Sequence, residues 1–121
     1  DIFQKKMVEY AAGALAGKKR KAIFLNFLLQ ISPACDCYPN SDAPIVRDIG
    51  IVASTDPVAI DTASCDLVNN EVSIPNTAIK KILKEGEDKW HALYPTIDWR
   101  HQLQHAEKMG LGSRAYTLVR I

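Results

Sequence analysis

Apolar positions recur along this chain with two different periods. Phe3, Met7, Tyr10, Ala11, Ala14 and Leu15 fall three and four apart, which predicts a helix with those residues inward. Gly17 suits the position just past a last helical turn and predicts the stop. Residues 22–31 then form a nearly unbroken apolar run, read as a strand buried on both faces. Asn26 interrupts that run and must find a hydrogen-bond partner. Ser32 to Asp48 holds three prolines, two cysteines and three aspartates, and reads as a long loop. Loops beyond roughly 12–15 residues are often functional. Residues 49–54 predict a second strand. Asp56-Pro57 predicts a helix start, with Asp as N-cap and Pro at the first helical position. Ile60, Ala63, Leu67 and Val68 supply its inward face.

The second half reads as more helical. A short helix is predicted over 76–85, ended by Gly86, and a packed turn over 88–95 around Trp90, His91 and Tyr94. Asp98 is placed to cap a helix running to Met109, with Trp99, Leu103 and Ala106 inward and Gly110 as its stop. Residues 116–121 read as a last strand. The fold expected is α/β: a small, mostly parallel sheet flanked by helices, with a more helical C-terminal half. Strands 22–31 and 49–54 are expected adjacent and parallel. Few strands are predicted for the apolar content, so an incomplete domain with an exposed apolar patch or sheet edge is expected. The chain, residues 1–121, reads as one domain. It does not begin with Met and is expected to be a fragment of a longer protein.

Composition narrows the classes. Hydrophobic residues are 47% and charged residues 24% of the 121, which fits a globular domain and not a disordered one. No apolar run approaches the roughly 20 residues of a membrane span, so no membrane is expected. Three cysteines, an odd number, predict a reduced, cytoplasmic protein. The net charge of +1 gives no argument for nucleic acid. Charge is unevenly spread, however. Lys18-Lys19-Arg20-Lys21 ends the first helix, whereas residues 33–66 carry Asp36, Asp42, Asp48, Asp56, Asp61 and Asp66 against Arg47 alone. The basic run reads as a solvated helix end, because no aromatic residues interleave with it.

The acidic stretch contains the candidate chemistry. Cys35 and Cys37 follow one predicted strand, and Asp56 follows the next. If those strands are parallel, both loops leave the same sheet edge, where α/β proteins place their sites. Cys35, Cys37, Asp42 and Asp56 or Asp61 would then converge on one metal, and two thiolates suit zinc or iron. The competing reading has a cysteine packed as a small hydrophobe, Asp56 as a cap and Asp61 paired with a cation. Asp61 and Cys65, four apart, share a helix face. The carboxylate would raise the thiol pKa, so Cys65 reads as structural. His101 and His105 are also four apart, but lie opposite Trp99, Leu103 and Ala106 and are expected to face solvent. No phosphate loop and no nucleophile elbow occurs.

Several segments together resemble a known family. These are Asn26-Phe27, Ser32-Pro-Ala-Cys-Asp-Cys37, Ser41-Asp-Ala-Pro-Ile-Val46, Asp48-Ile-Gly-Ile51, Ala53-Ser-Thr-Asp-Pro-Val-Ala-Ile-Asp61 and Leu67-Val-Asn69. Leu93-Tyr-Pro95, Asp98-Trp99, Gln102-Leu103, Ala106-Glu107 and Gly110-Leu-Gly112 continue the pattern. The chain resembles the C-terminal part of the uncharacterised iron–sulfur-centre proteins, the domain-of-unknown-function family numbered 362. The resemblance implies a parent protein with a ferredoxin-type segment of CxxCxxCxxxCP cysteines, which this chain lacks. Three cysteines cannot supply four thiolates, so no iron–sulfur cluster is expected on this fragment. Three functions stay open: a metal-binding or redox-associated domain, a metal-dependent enzyme acting on a small anionic substrate, and a structural module that self-associates. The expected partners are the rest of the parent protein or a second copy in a homodimer. The catalytic residues, if there are any, stay unassigned.

Overall fold

The computed structural model describes residues 2–35 and 37–121. Among them it holds four helices and two strands, in the order α1 (Ile2–Leu15), β1 (Phe24–Leu28), β2 (Gly50–Ser54), α2 (Pro57–Asn69), α3 (Lys89–Leu93) and α4 (Arg100–Lys108).

The strands pair antiparallel, with Phe24 opposite Ser54, Asn26 opposite Val52 and Leu28 opposite Gly50. This corrects the expected mostly parallel sheet. The reason lies in the link between the strands, whose described residues form no helix. A parallel return needs a long crossover, whereas an antiparallel return needs only a loop that doubles back. Asp48 closes that loop by accepting a hydrogen bond from the Gln30 amide at 2.7 Å. The Ile49 amide donates to the Leu28 carbonyl at 2.9 Å. Ile45 and Val46 draw the loop inward: both are fully buried and form a core cluster with Val68 and Ile79.

The inner sheet face packs on α2. Asp56 caps that helix, accepting from the amides of Val58 at 2.8 Å and Ala59 at 2.9 Å, with Pro57 in its first turn. Val58, Ile60, Ala63 and Val68 form its buried side. α1 packs on α4, but by a different stripe from the one expected. Val8 is buried against Val58 and Ala106, with Leu111 packed on the cluster. Phe3 and Tyr10 are exposed, at 75% and 85%. Of the expected stripe, Met7, Ala11 and Leu15 border a cavity shared with α2 and α4, whereas Phe3 and Tyr10 face outward.

Two further expectations are corrected. Residues 76–85 are not helical, because Asn76 has a positive φ of 60° and Ser73 ties the loop shut. The Ser73 hydroxyl oxygen accepts from the Leu83 amide at 2.7 Å, and the Ser73 amide donates to the Leu83 carbonyl at 2.9 Å. Residues 116–121 make no strand. They lie along the surface, where the Tyr116 hydroxyl donates to Asp66 at 2.9 Å instead of the backbone joining a ladder. α4 carries Leu103 and Ala106 inward as expected.

Candidate functional site

Antiparallel pairing sends the loop with Cys35 and Cys37 away from one end of the sheet and Asp56 away from the other. A strand length of roughly 14 Å separates those ends, so the single-edge argument for a shared metal fails. Each candidate residue has a place of its own. Cys35 and Cys37 are exposed, in a turn where the Tyr38 amide donates to the Cys35 carbonyl at 2.8 Å. Asp36 lies outside the described residues. Asp42 accepts from the Ala43 amide next to it. Asp56 caps α2 with one oxygen and accepts from the Ser113 amide at 2.9 Å with the other. Asp61 sits on α2 over the middle of β1, where it accepts from the Asn26 side-chain amide at 2.9 Å. Among the described residues, no three or more His, Cys, Asp or Glu side chains are grouped to hold a metal ion. An iron–sulfur cluster does not fit this donor set, which offers two exposed thiols and one half-buried thiol against the four thiolates needed.

Two further contacts complete this picture. Gly112 lies so close to Asp56 that a Cβ there would collide with the carboxylate. His105 turns toward α1 instead of solvent, with Nε2 at 3.7 Å from Glu9 Oε1.

Asp61 also borders a cavity of about 250 Å³ where α1, α2, α3 and α4 meet the end of β1. Its walls include Leu28, Cys65, Trp90, Trp99 and Gln102. A smaller cavity of about 150 Å³ toward α1 shares Asp61, Gln102 and Leu103. Hydrogen bonds fix the indoles in the walls. Trp90 Nε1 donates to the Cys65 carbonyl at 3.3 Å. Trp99 Nε1 donates to Asp88 at 3.1 Å, and the Arg100 guanidinium covers the Trp99 ring at 4.7 Å. The indole rings lie 6.5 Å apart, tilted by 49°. Burial, reinforced by Asp61, Asp66 and Asp88, pushes the Cys65 thiol up to about 12, so it stays protonated. The direction agrees with the one read from its i, i+4 spacing to Asp61, and burial is the larger cause.

The opposite face of the sheet is bare. Leu25, Phe27 and Ile51 are 53%, 60% and 59% exposed. They form the cross-strand pairs Leu25–Ala53 and Phe27–Ile51. Ile23 and Leu29, also exposed, continue the same alternation. The whole outward row is apolar.

No helix among the described residues is long and apolar enough to cross a membrane. Searches among curated proteins and among solved structures return no match. The profile described as domain of unknown function (DUF362) matches residues 1–66, a segment that spans α1, both strands and α2 as far as Asp66. With more than half of its residues matched, the chain belongs to the DUF362 family.

Proposed function

We propose that this chain is an association module that packs the outer face of its sheet against a second copy. The observation that carries this is the uncharged apolar row of Ile23, Leu25, Phe27, Leu29, Ile51 and Ala53. Half-exposed large side chains of this kind each offer roughly 100 Å². The row therefore presents about 500 Å², at the size where an exposed apolar patch marks an interaction site. A two-fold pair would bury about 1,000 Å² in total, the lower edge of specific interfaces. Such a face is self-complementary, since it meets no like charge across the two-fold axis. Two twisted sheets stacked about 10 Å apart would form a sandwich. α2 covers only the inner face of this two-stranded sheet, and the second copy would supply a layer on the outer one. A reversible dimer with micromolar dissociation is the class this area supports.

Sedimentation velocity over a concentration series tests the reading. The wild-type chain is expected to shift from monomer to dimer. Phe27→Asp, which puts a carboxylate at the centre of the row without touching α2, is expected to stay monomeric with an unchanged circular dichroism spectrum. A wild-type chain that stays monomeric throughout the series refutes it.

A further inference from the structure

We infer that the cavity beside Asp61 binds a small organic ammonium ion with an apolar body. This site lies on the other side of the sheet from the association face and does not depend on it.

Size comes first. A cavity of about 150 Å³ accepts benzene, so 250 Å³ leaves room for one ring and a short amine arm. Charge comes second. Asp61 is the only ionisable carboxylate in the wall, and the wall contains no lysine, arginine or histidine. One Asp61 oxygen accepts from Asn26, and the second has no protein donor among the described residues. An anionic ligand would meet uncompensated repulsion there, and a purely apolar ligand would strip water from a carboxylate without pairing it. An ammonium does pair it. Third, a single carboxylate beside indole rings does not suit a hard divalent cation, which takes six or more oxygens or several waters. Indoles do attract an organic cation, through the ring face. Trp90 is the available ring, since Arg100 already covers Trp99. Gln102, whose side chain makes no hydrogen bond among the described residues, adds a carbonyl acceptor for a second N–H. Cys65 is neutral and adds soft apolar wall, not a competing anion.

The chain has two tryptophans, and both line this cavity. Intrinsic fluorescence therefore reports occupancy with no background from other indoles. We would titrate the wild-type chain with benzylamine, with benzyl alcohol as its uncharged counterpart and with benzoate as the anion. Saturable binding of benzylamine is expected, at least tenfold tighter than benzyl alcohol, with no response to benzoate. Asp61→Asn, checked for folding by circular dichroism, should weaken benzylamine about tenfold and leave benzyl alcohol unchanged. If that variant does not fold, because Asn26 loses its partner, the comparison of the three probes on the wild-type chain decides alone. The inference is overturned if benzylamine gives no saturable change, or if it binds no better than benzyl alcohol. A folded Asp61→Asn chain that keeps full benzylamine affinity overturns it equally.

Discussion

Lys89 is the first residue of α3, and its side chain is fully buried. Its ammonium donates to the carbonyls of Asn69 and Lys84, and its backbone amide donates to the Asn69 side chain at 2.9 Å. Asn69 is the last residue of α2, so one buried cation joins the negative end of that helix to the loop leading into α3. Consider Lys89→Met, which keeps the length and removes the charge. The Asn69 carbonyl retains a donor, the Gly86 amide at 2.8 Å. The Lys84 carbonyl likewise retains the Glu87 amide at 3.2 Å, so the loss is that of the two hydrogen bonds from the charged ammonium, at about 1–3 kcal/mol. Loss of the charge–dipole term adds about 1 kcal/mol. Relief of ammonium desolvation works in the opposite direction. A net loss of about 2–3 kcal/mol follows, which lowers Tm by roughly 8–12 °C in a domain of this size. Urea denaturation should show a lower midpoint at unchanged slope. Lys84→Met is the control, since only the backbone of Lys84 is used and its side chain is exposed. A Lys89→Met chain that loses less than about 0.5 kcal/mol refutes the reasoning, because replacement of the buried charge by packed methylenes would then offset the lost bonds.

Five other outcomes follow. Cys65 should be alkylated about a thousandfold more slowly in the native chain than in urea, because its thiol rises from 9.0 to about 12 on folding; peptide mapping by mass spectrometry reads this. The same difference makes stability fall as pH rises from about 9 toward 12, since the unfolded chain releases a proton that the folded chain retains. Burial alone would raise the Asp88 carboxyl, but the donors from His91, Trp99 and Arg100 outweigh burial and hold it below its usual value. Its contribution is thus present above the unfolded carboxylate pKa and lost as pH falls through the folded one; Asp88→Asn should flatten the acid limb of a stability–pH curve. Gly112→Ala forces Asp56 from its position and should cost about 1–3 kcal/mol in thermal denaturation. Cys35→Ser/Cys37→Ser changes an exposed turn and should leave Tm within about 2 °C, by differential scanning fluorimetry with and without zinc; a zinc-dependent rise confined to the wild-type chain would instead assign the pair to a metal.

What could be read from the sequence was local. Asp56-Pro57 marks a helix start through one side chain and one ring, and both act within a turn. Gly17 and Gly110 end their helices with positive φ of 70° and 74°, a property of the residue itself. The i, i+4 pairing of Asp61 and Cys65 needed only a helix, and both line the same cavity. The two tryptophans of that cavity were not legible as a pair. They lie nine residues apart, and only the turn between α3 and α4 brings their rings together.

Strand direction was illegible for a related reason. A run apolar on both faces signals a strand covered on both sides, and in the commonest case the strand lies in a parallel sheet whose crossover helices do the covering. Here the inner side chains, Phe24, Asn26 and Leu28, face α2, while Leu25 and Phe27 have their cross-strand neighbours beside them and are left more than half exposed. The same ambiguity governs α1, where Phe3 and Tyr10 belong to a true helical stripe yet stand exposed, while Met7 of that stripe borders the cavity shared with α4. Periodicity reports that a face is apolar; it does not report which molecule covers it. Both misread faces err in one direction, toward burial within the chain. Such errors cluster where apolar surface is left exposed, and β1 has the clearest instance. Its inward Asn26 holds Asp61 at the cavity, while its outward neighbour Phe27 stands at the centre of the bare row.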